Sequence, residues 1–134
     1  MFGTTQYITL AGARKLMEAA EAEAVRNNWS VAVAIVDAGT NLLLFQKMDG
    51  TQVGSIDIAI GKARTAVKLK RPTKAIEDMI AGGKQAFLAI EGLVPVQGGL
   101  PIAANGVVVG AIGVSGLTSA QDEQVAAAAL EALA

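Results

Sequence analysis

The sequence predicts an α+β domain: an antiparallel sheet of about five strands packed with helices. Three observations carry that expectation. Apolar residues recur at helical spacing in long segments, β-branched runs lie between those segments, and turn signals join neighbouring runs too tightly for crossover helices. A chain of 134 residues suits a single domain over residues 1–134, able to bury a core without disulfides.

The elements follow in order. Thr9 precedes LAGARKLMEAAEAEAVRNN, in which Leu10, Ala13, Leu16, Met17, Ala20 and Ala24 share a face, so a helix should run to about Asn27–Asn28. SVAVAIVD, AGTN and LLLFQKM then read as strand, turn and returning strand, broken by Asp49-Gly50. A second helix is expected from about Val53 to Lys68, with Ile56, Ala59, Ile60, Ala63, Ala66 and Val67 inward and Arg71-Pro72 stopping it. Thr73 should cap a short helix that Gly82-Gly83 ends. KQAFLAI reads as a helical turn or two, and LVPVQGG as a short, edge-like strand interrupted by Pro95. Leu100–Ala104 and Val107–Ser115 flank Asn105-Gly106, a hairpin signal because both central residues of such a turn need positive φ. Thr118 and Gln121 have capping-box spacing at the start of a closing helix.

Composition narrows the chemistry. The chain has no cysteine and no histidine, which removes disulfides, thiolate metal sites, cysteine nucleophiles and the usual base near neutral pH. The net charge of −1, without a block of like charge, predicts neither nucleic acid nor an anionic membrane as partner. The start MFGTTQYITL lacks a secretory pattern and no apolar run reaches membrane length, so a cytoplasmic protein is expected. Hydrophobic residues make up 52% and charged ones 17%, an apolar excess that suits tight alanine packing together with a face buried against another copy.

The segment GGLPIAANGVVVGAIGVSG raises the question of a phosphate loop. Such a loop needs glycines between a strand and a helix N-terminus, whereas Gly110 and Gly113 fall inside the strand. Asp122 and Glu123 then occupy the helix start, where they would repel phosphate. The glycines are expected to admit close backbone packing instead.

LPIAANGVVVGAIGVSG followed by QDE, VAVAIVDAGTNLLLFQKMDG, and SIDIAIGKARTA with RPT after it, resemble in order the hallmark segments of the GlcG/HbpS-like, or haem-degrading domain, family. That resemblance runs from Ile8 to Leu133 and implies a profilin-like fold with a five-stranded sheet, assembled as dimers that build tetramers or octamers. It implies a haem- or cobalamin-binding accessory domain related to the C-terminal domain of PduO-type adenosyltransferases. Where haem binding in that family is attributed to a histidine, this chain has none, so methionine, tyrosine or a hydroxyl would have to serve.

Candidate site residues cluster on the middle helix. Its wheel puts Asp57, Gly61, Arg64 and Lys68 on one flank, Ser55 and Lys62 on the other, and Thr65 opposite the core. Mid-helix Gly61 leaves space for a ligand or a partner's backbone, or serves packing. Lys62 and Arg64, within the family's GKARTA pattern, could meet a carboxylate of a small anionic ligand. Ser55 and the amides of Gly98-Gly99 complete the binding candidates, although Gly-Gly equally suits a bulge. Met17, Met48 and Met79 read as core, and Tyr7 and Trp29 as half-buried aromatics near the ends of the first helix. The leading expectation is a non-catalytic or weakly catalytic ligand-binding domain. An alternative is an enzyme acting on a small organic acid, with Asp57, Asp49 or Lys62 moving the proton; another is a structural subunit of a larger assembly.

Overall fold

β1 (Ala32–Asp37) and β4 (Val107–Ser115) form the centre of the sheet, paired antiparallel from Ala32 opposite Ser115 to Asp37 opposite Gly110. The computed structural model describes residues 1–133. β2 (Leu42–Lys47) flanks β1, and β3 (Gly99–Ala104) flanks β4, giving the antiparallel order β2-β1-β4-β3. α1 (Leu10–Arg26) and α4 (Ser119–Glu131) cover one face, and α2 (Ser55–Leu69) the other. α3 (Thr73–Ala81) and a 3₁₀ turn at Gln85–Ala89 lead from α2 to β3.

Local chemistry accounts for most boundaries. The Thr9 hydroxyl accepts from the Gly12 amide at the start of α1, and Thr118 with Gln121 forms a reciprocal capping box on α4. Asn105 and Gly106 have φ of 51° and 77°, as a primed turn requires.

Among the described residues the sheet has four strands, not five. The expected strand in LVPVQGG does not form: Pro95 has no amide to pair, the Val94 amide donates to the Thr65 hydroxyl, and the Val96 amide folds back onto the Val94 carbonyl. Thr73 also differs from expectation. It is the first residue of α3 rather than its cap, and its buried hydroxyl exchanges hydrogen bonds with the Gly99 backbone.

The two sheet faces are packed differently. Val31, Val33, Ile35, Ile112 and Val114 meet Leu16 and Met17 of α1 and Val125 of α4 in a core of large side chains. The opposite face is built from Ala32, Ala34, Val36 and Ala111 against Ala59, Ala63 and Ala66 of α2. Small residues on both sides let the helix lie almost on the sheet. Gly113 marks the contact: a Cβ there would stand 2.6 Å from the Ala63 amide nitrogen and press on the Ala59 carbonyl.

Candidate functional site

α2 carries two very different cations. Lys62 lies on the same stripe as Ala59 and Ala66, so its side chain enters the protein and is 1% exposed. Its ammonium donates to the Val114 carbonyl at 2.9 Å and to the Asp122 carboxylate at 3.0 Å. Asp122, 2% exposed, sits on the α4 stripe with Val125, Ala126 and Ala129, and its other oxygen accepts from the Leu117 amide. Burial pushes the Asp122 carboxyl above its ordinary value; the Lys62 ammonium and the amides of Leu117 and Gly116 oppose that push without cancelling it.

Gly98 and Gly99 roof this pair. Gly98 has φ of 132°, and a Cβ on it would stand 2.7 Å from the Lys62 nitrogen; one on Gly99 would meet the Lys62 carbonyl oxygen at 2.5 Å. The structure therefore brings Lys62, Gly98 and Gly99 together, around Asp122 and inside one protomer. Gly99's amide is taken by Thr73. Ser55 is buried on the same face of α2, its hydroxyl 3.2 Å from that of Ser115.

The remaining candidates lie elsewhere. Arg64 is exposed and its Nε donates to the Thr40 carbonyl in the β1–β2 turn at 3.1 Å. Asp57 is exposed in the first turn of α2, and Asp49 is exposed after β2, its carbonyl accepting from the Ser30 hydroxyl. The space at Gly61 is filled by Val94 of the same chain, neither a ligand nor a partner. That loop also buries Thr65, expected opposite the core; its hydroxyl donates to the Gly61 carbonyl and accepts from the Val94 amide.

A groove missed at the level of sequence runs along the other end of the sheet. It has a volume of about 430 Å³ and is lined by Tyr7, Ile8, Thr9, Ile102, Ala103 and Val109 among others. Gly110 builds it: a Cβ there would reach the Ile8 Cδ1 at 2.5 Å, so the glycine seats Ile8 over β4. Asn105 Nδ2 donates to Gln6 Oε1 at 2.8 Å and ties the amino-terminal segment to the hairpin. Between these anchors Tyr7 is 76% exposed, not half-buried as expected, and it lines the groove. The polar lining, Gln6, Thr9 and Asn105, is uncharged.

One signal in the sequence bears on these sites. Asp122 shares i, i+3, i+4 and i+7 spacing with apolar Val125, Ala126 and Ala129, so periodicity alone turns it inward opposite the equally inward Lys62. The groove has no comparable signal, because it joins residues near position 7 to residues near position 103.

Among the described residues no helix is long and apolar enough to cross a membrane. Residues 8–131 match the family described as haem degrading protein HbpS-like. The chain is 43% identical over 103 residues to protein GlcG of Escherichia coli K12, covering 77% of each chain. It is similar to the crystal structure of HbpS, with a TM-score of 0.93, 33% identity and coverage of 99% of this chain and 94% of that one. It is also similar to a crystal structure of a PduOC–haem complex, with a TM-score of 0.87, 27% identity and coverage of 95% of each. A match over nearly the whole length, with ordered hallmark segments and the same fold, makes this chain a member of the HbpS-like family, akin to GlcG and PduO.

Proposed function

We propose that this chain binds a tetrapyrrole, haem or a corrinoid, as a non-catalytic accessory domain, and that the groove beside Tyr7 receives it. The observation that carries the reading is the pairing of an apolar floor, Ile8, Ile102 and Val109, with one exposed phenol at its border. A relative of the same fold described as a PduOC–haem complex supports the ligand class.

The residues fit such a group in chemistry. A tyrosine oxygen is an established protein ligand to haem iron, and the apolar walls would cover the macrocycle while excluding water. When bound, haem supplies an iron centre. The protein's part is to offer the Tyr7 oxygen and to hold the amino-terminal segment in place through Ile8 and the Gln6–Asn105 bond. Lys62 acts within this reading as scaffold, since its ammonium is enclosed with Asp122. Acid–base turnover finds little support: Asp57 and Asp49 are exposed, and the raised carboxyl, Asp122, is shut inside the protomer. Self-association of the chain is the second part of the reading.

Titration with haemin and, separately, with a cobalamin tests it by absorbance. One of the two should give a saturating change at one equivalent per chain. Ala103→Arg, at an exposed position of the groove, should weaken binding at least about tenfold, and Tyr7→Phe should alter the spectrum of a haem complex. A progressive, non-saturating rise with both ligands, unchanged in the two variants, removes the proposal.

A further inference from the structure

The tip of the β3–β4 hairpin places an asparagine carboxamide beside an unhindered amide nitrogen. Asn105 and Gly106 are both exposed, and both have positive φ. The strands pair up to Ala104 opposite Val107, so the closing bond of the turn runs between those two residues and the Gly106 amide lies outside it. A Cβ on Gly106 would meet nothing within 4 Å, so the main chain is open on that side. The pairing slips between Ile102 and Ala103, just before the tip, which interrupts the ladder that would brace it. Glycine also moves through backbone angles that other residues avoid. Asn105 Cγ and the Gly106 nitrogen are separated by the number of bonds that closes a five-membered ring.

One contact restrains the asparagine side chain. Its Nδ2 donates to Gln6 Oε1 at 2.8 Å, the bond that ties the amino-terminal segment to the hairpin. Both residues are exposed, so water competes for each side of that bond. The same carboxamide therefore has two possible neighbours, Gln6 when the tie is made and the Gly106 nitrogen when it opens.

We infer that Asn105 is a site of spontaneous deamidation, restrained by its bond to Gln6, and that its conversion loosens the amino-terminal segment. The Gly106 nitrogen attacks Asn105 Cγ as its proton passes to hydroxide or water. The Cγ–Nδ2 bond breaks and ammonia leaves, giving a succinimide. Water then opens the ring at either carbonyl and leaves aspartate or isoaspartate. The sum is one water gained and one ammonia lost, with no oxidant or reductant. Isoaspartate routes the main chain through Cβ and Cγ, an extra atom for which a two-residue primed turn has no place. Both products replace the Nδ2 donor by a carboxylate oxygen, so the bond to Gln6 Oε1 is lost as it stands. They also put a negative charge into the cavity of about 210 Å³ that Asn105 shares with Thr4, Thr5 and Gln6. The inference goes beyond the tetrapyrrole reading and stands without it, although Gln6, Tyr7 and Asn105 line that groove as well.

Peptide mass spectrometry on the full chain, incubated in mildly alkaline buffer, tests it, with isoaspartate read by an isoaspartyl methyltransferase assay. Asn27, Asn28 and Asn41, each followed by a residue with a side chain, are references within the same molecule. Asn105 should convert several-fold faster than any of them. Gly106→Asp keeps a residue that tolerates positive φ and has room for its Cβ, but that carbon shields the attacking nitrogen, so conversion should slow several-fold. Gln6→Ala removes the restraint and should speed conversion several-fold. In the converted fraction, hydrogen exchange over residues 4–9 should be faster than in the unconverted chain. Asn105 converting no faster than the reference asparagines, either variant converting at the wild-type rate, or unaltered exchange at residues 4–9 each overturns the inference.

Discussion

Removing one partner of the buried ion pair should be among the most damaging changes available in this chain. Lys62 and Asp122 lie 3.0 Å apart with both side chains almost wholly enclosed. At an effective dielectric near 20 their attraction is about 5.5 kcal/mol, set against several kcal/mol of desolvation for each ion. Lys62→Met abolishes the attraction but leaves the Asp122 desolvation in place, so the expected loss is about 3–5 kcal/mol at neutral pH. That is about a fifth or more of the stability of an ordinary domain. Urea titration followed by the fluorescence of Trp29, half-buried against the main core, reads it directly. With a denaturant slope near 2 kcal/mol/M, the midpoint should fall by about 2 M. The companion variant Lys62→Met/Asp122→Leu removes both charges and should recover most of that loss, because burial outweighs attraction in the upward push on Asp122. A single variant costing under about 1 kcal/mol, or a double variant as unstable as the single, refutes the reasoning.

Three further outcomes follow from the same geometry. The Asp122 carboxyl holds its proton to higher pH in the fold than its ordinary 3.8, so its contribution to stability should decline as pH rises from near that value through the folded one. The stability difference between wild type and the charge-free double variant, measured across acid pH, should carry that downward slope; a flat or rising difference contradicts it. Gly113→Ala inserts a methyl between β4 and the α2 backbone and should cost about 1–3 kcal/mol, visible as a calorimetric Tm several degrees lower. Thr118→Ala removes half of the capping box on α4 and should cost about 1 kcal/mol by denaturant titration.

Caps and turns were legible from residues because their causes are local. Thr9, Thr118 with Gln121, and Asn105-Gly106 act within a few positions of chain, and each does what its spacing predicts. LVPVQGG was misread for the opposite reason: its β-like residues are overridden by a side-chain partner, Thr65, far away in sequence. The two glycines of GAIG stand inside β4, as their place in the β-branched run predicts. What their missing side chains admit, α2 at Gly113 and Ile8 at Gly110, needs the packed molecule to be seen.

The amino-acid order by itself determined the helices, the two hairpins, the family and the inward stripe on α2, because periodicity and turn chemistry are properties of short stretches. Only the tertiary structure decided that Lys62 pairs with Asp122, that Val94 fills the gap at Gly61, and that Tyr7 borders a groove. Those are meetings between residues distant in the chain. Their outcome depends on how closely α2, α4 and the amino-terminal segment approach the sheet, which no local pattern encodes.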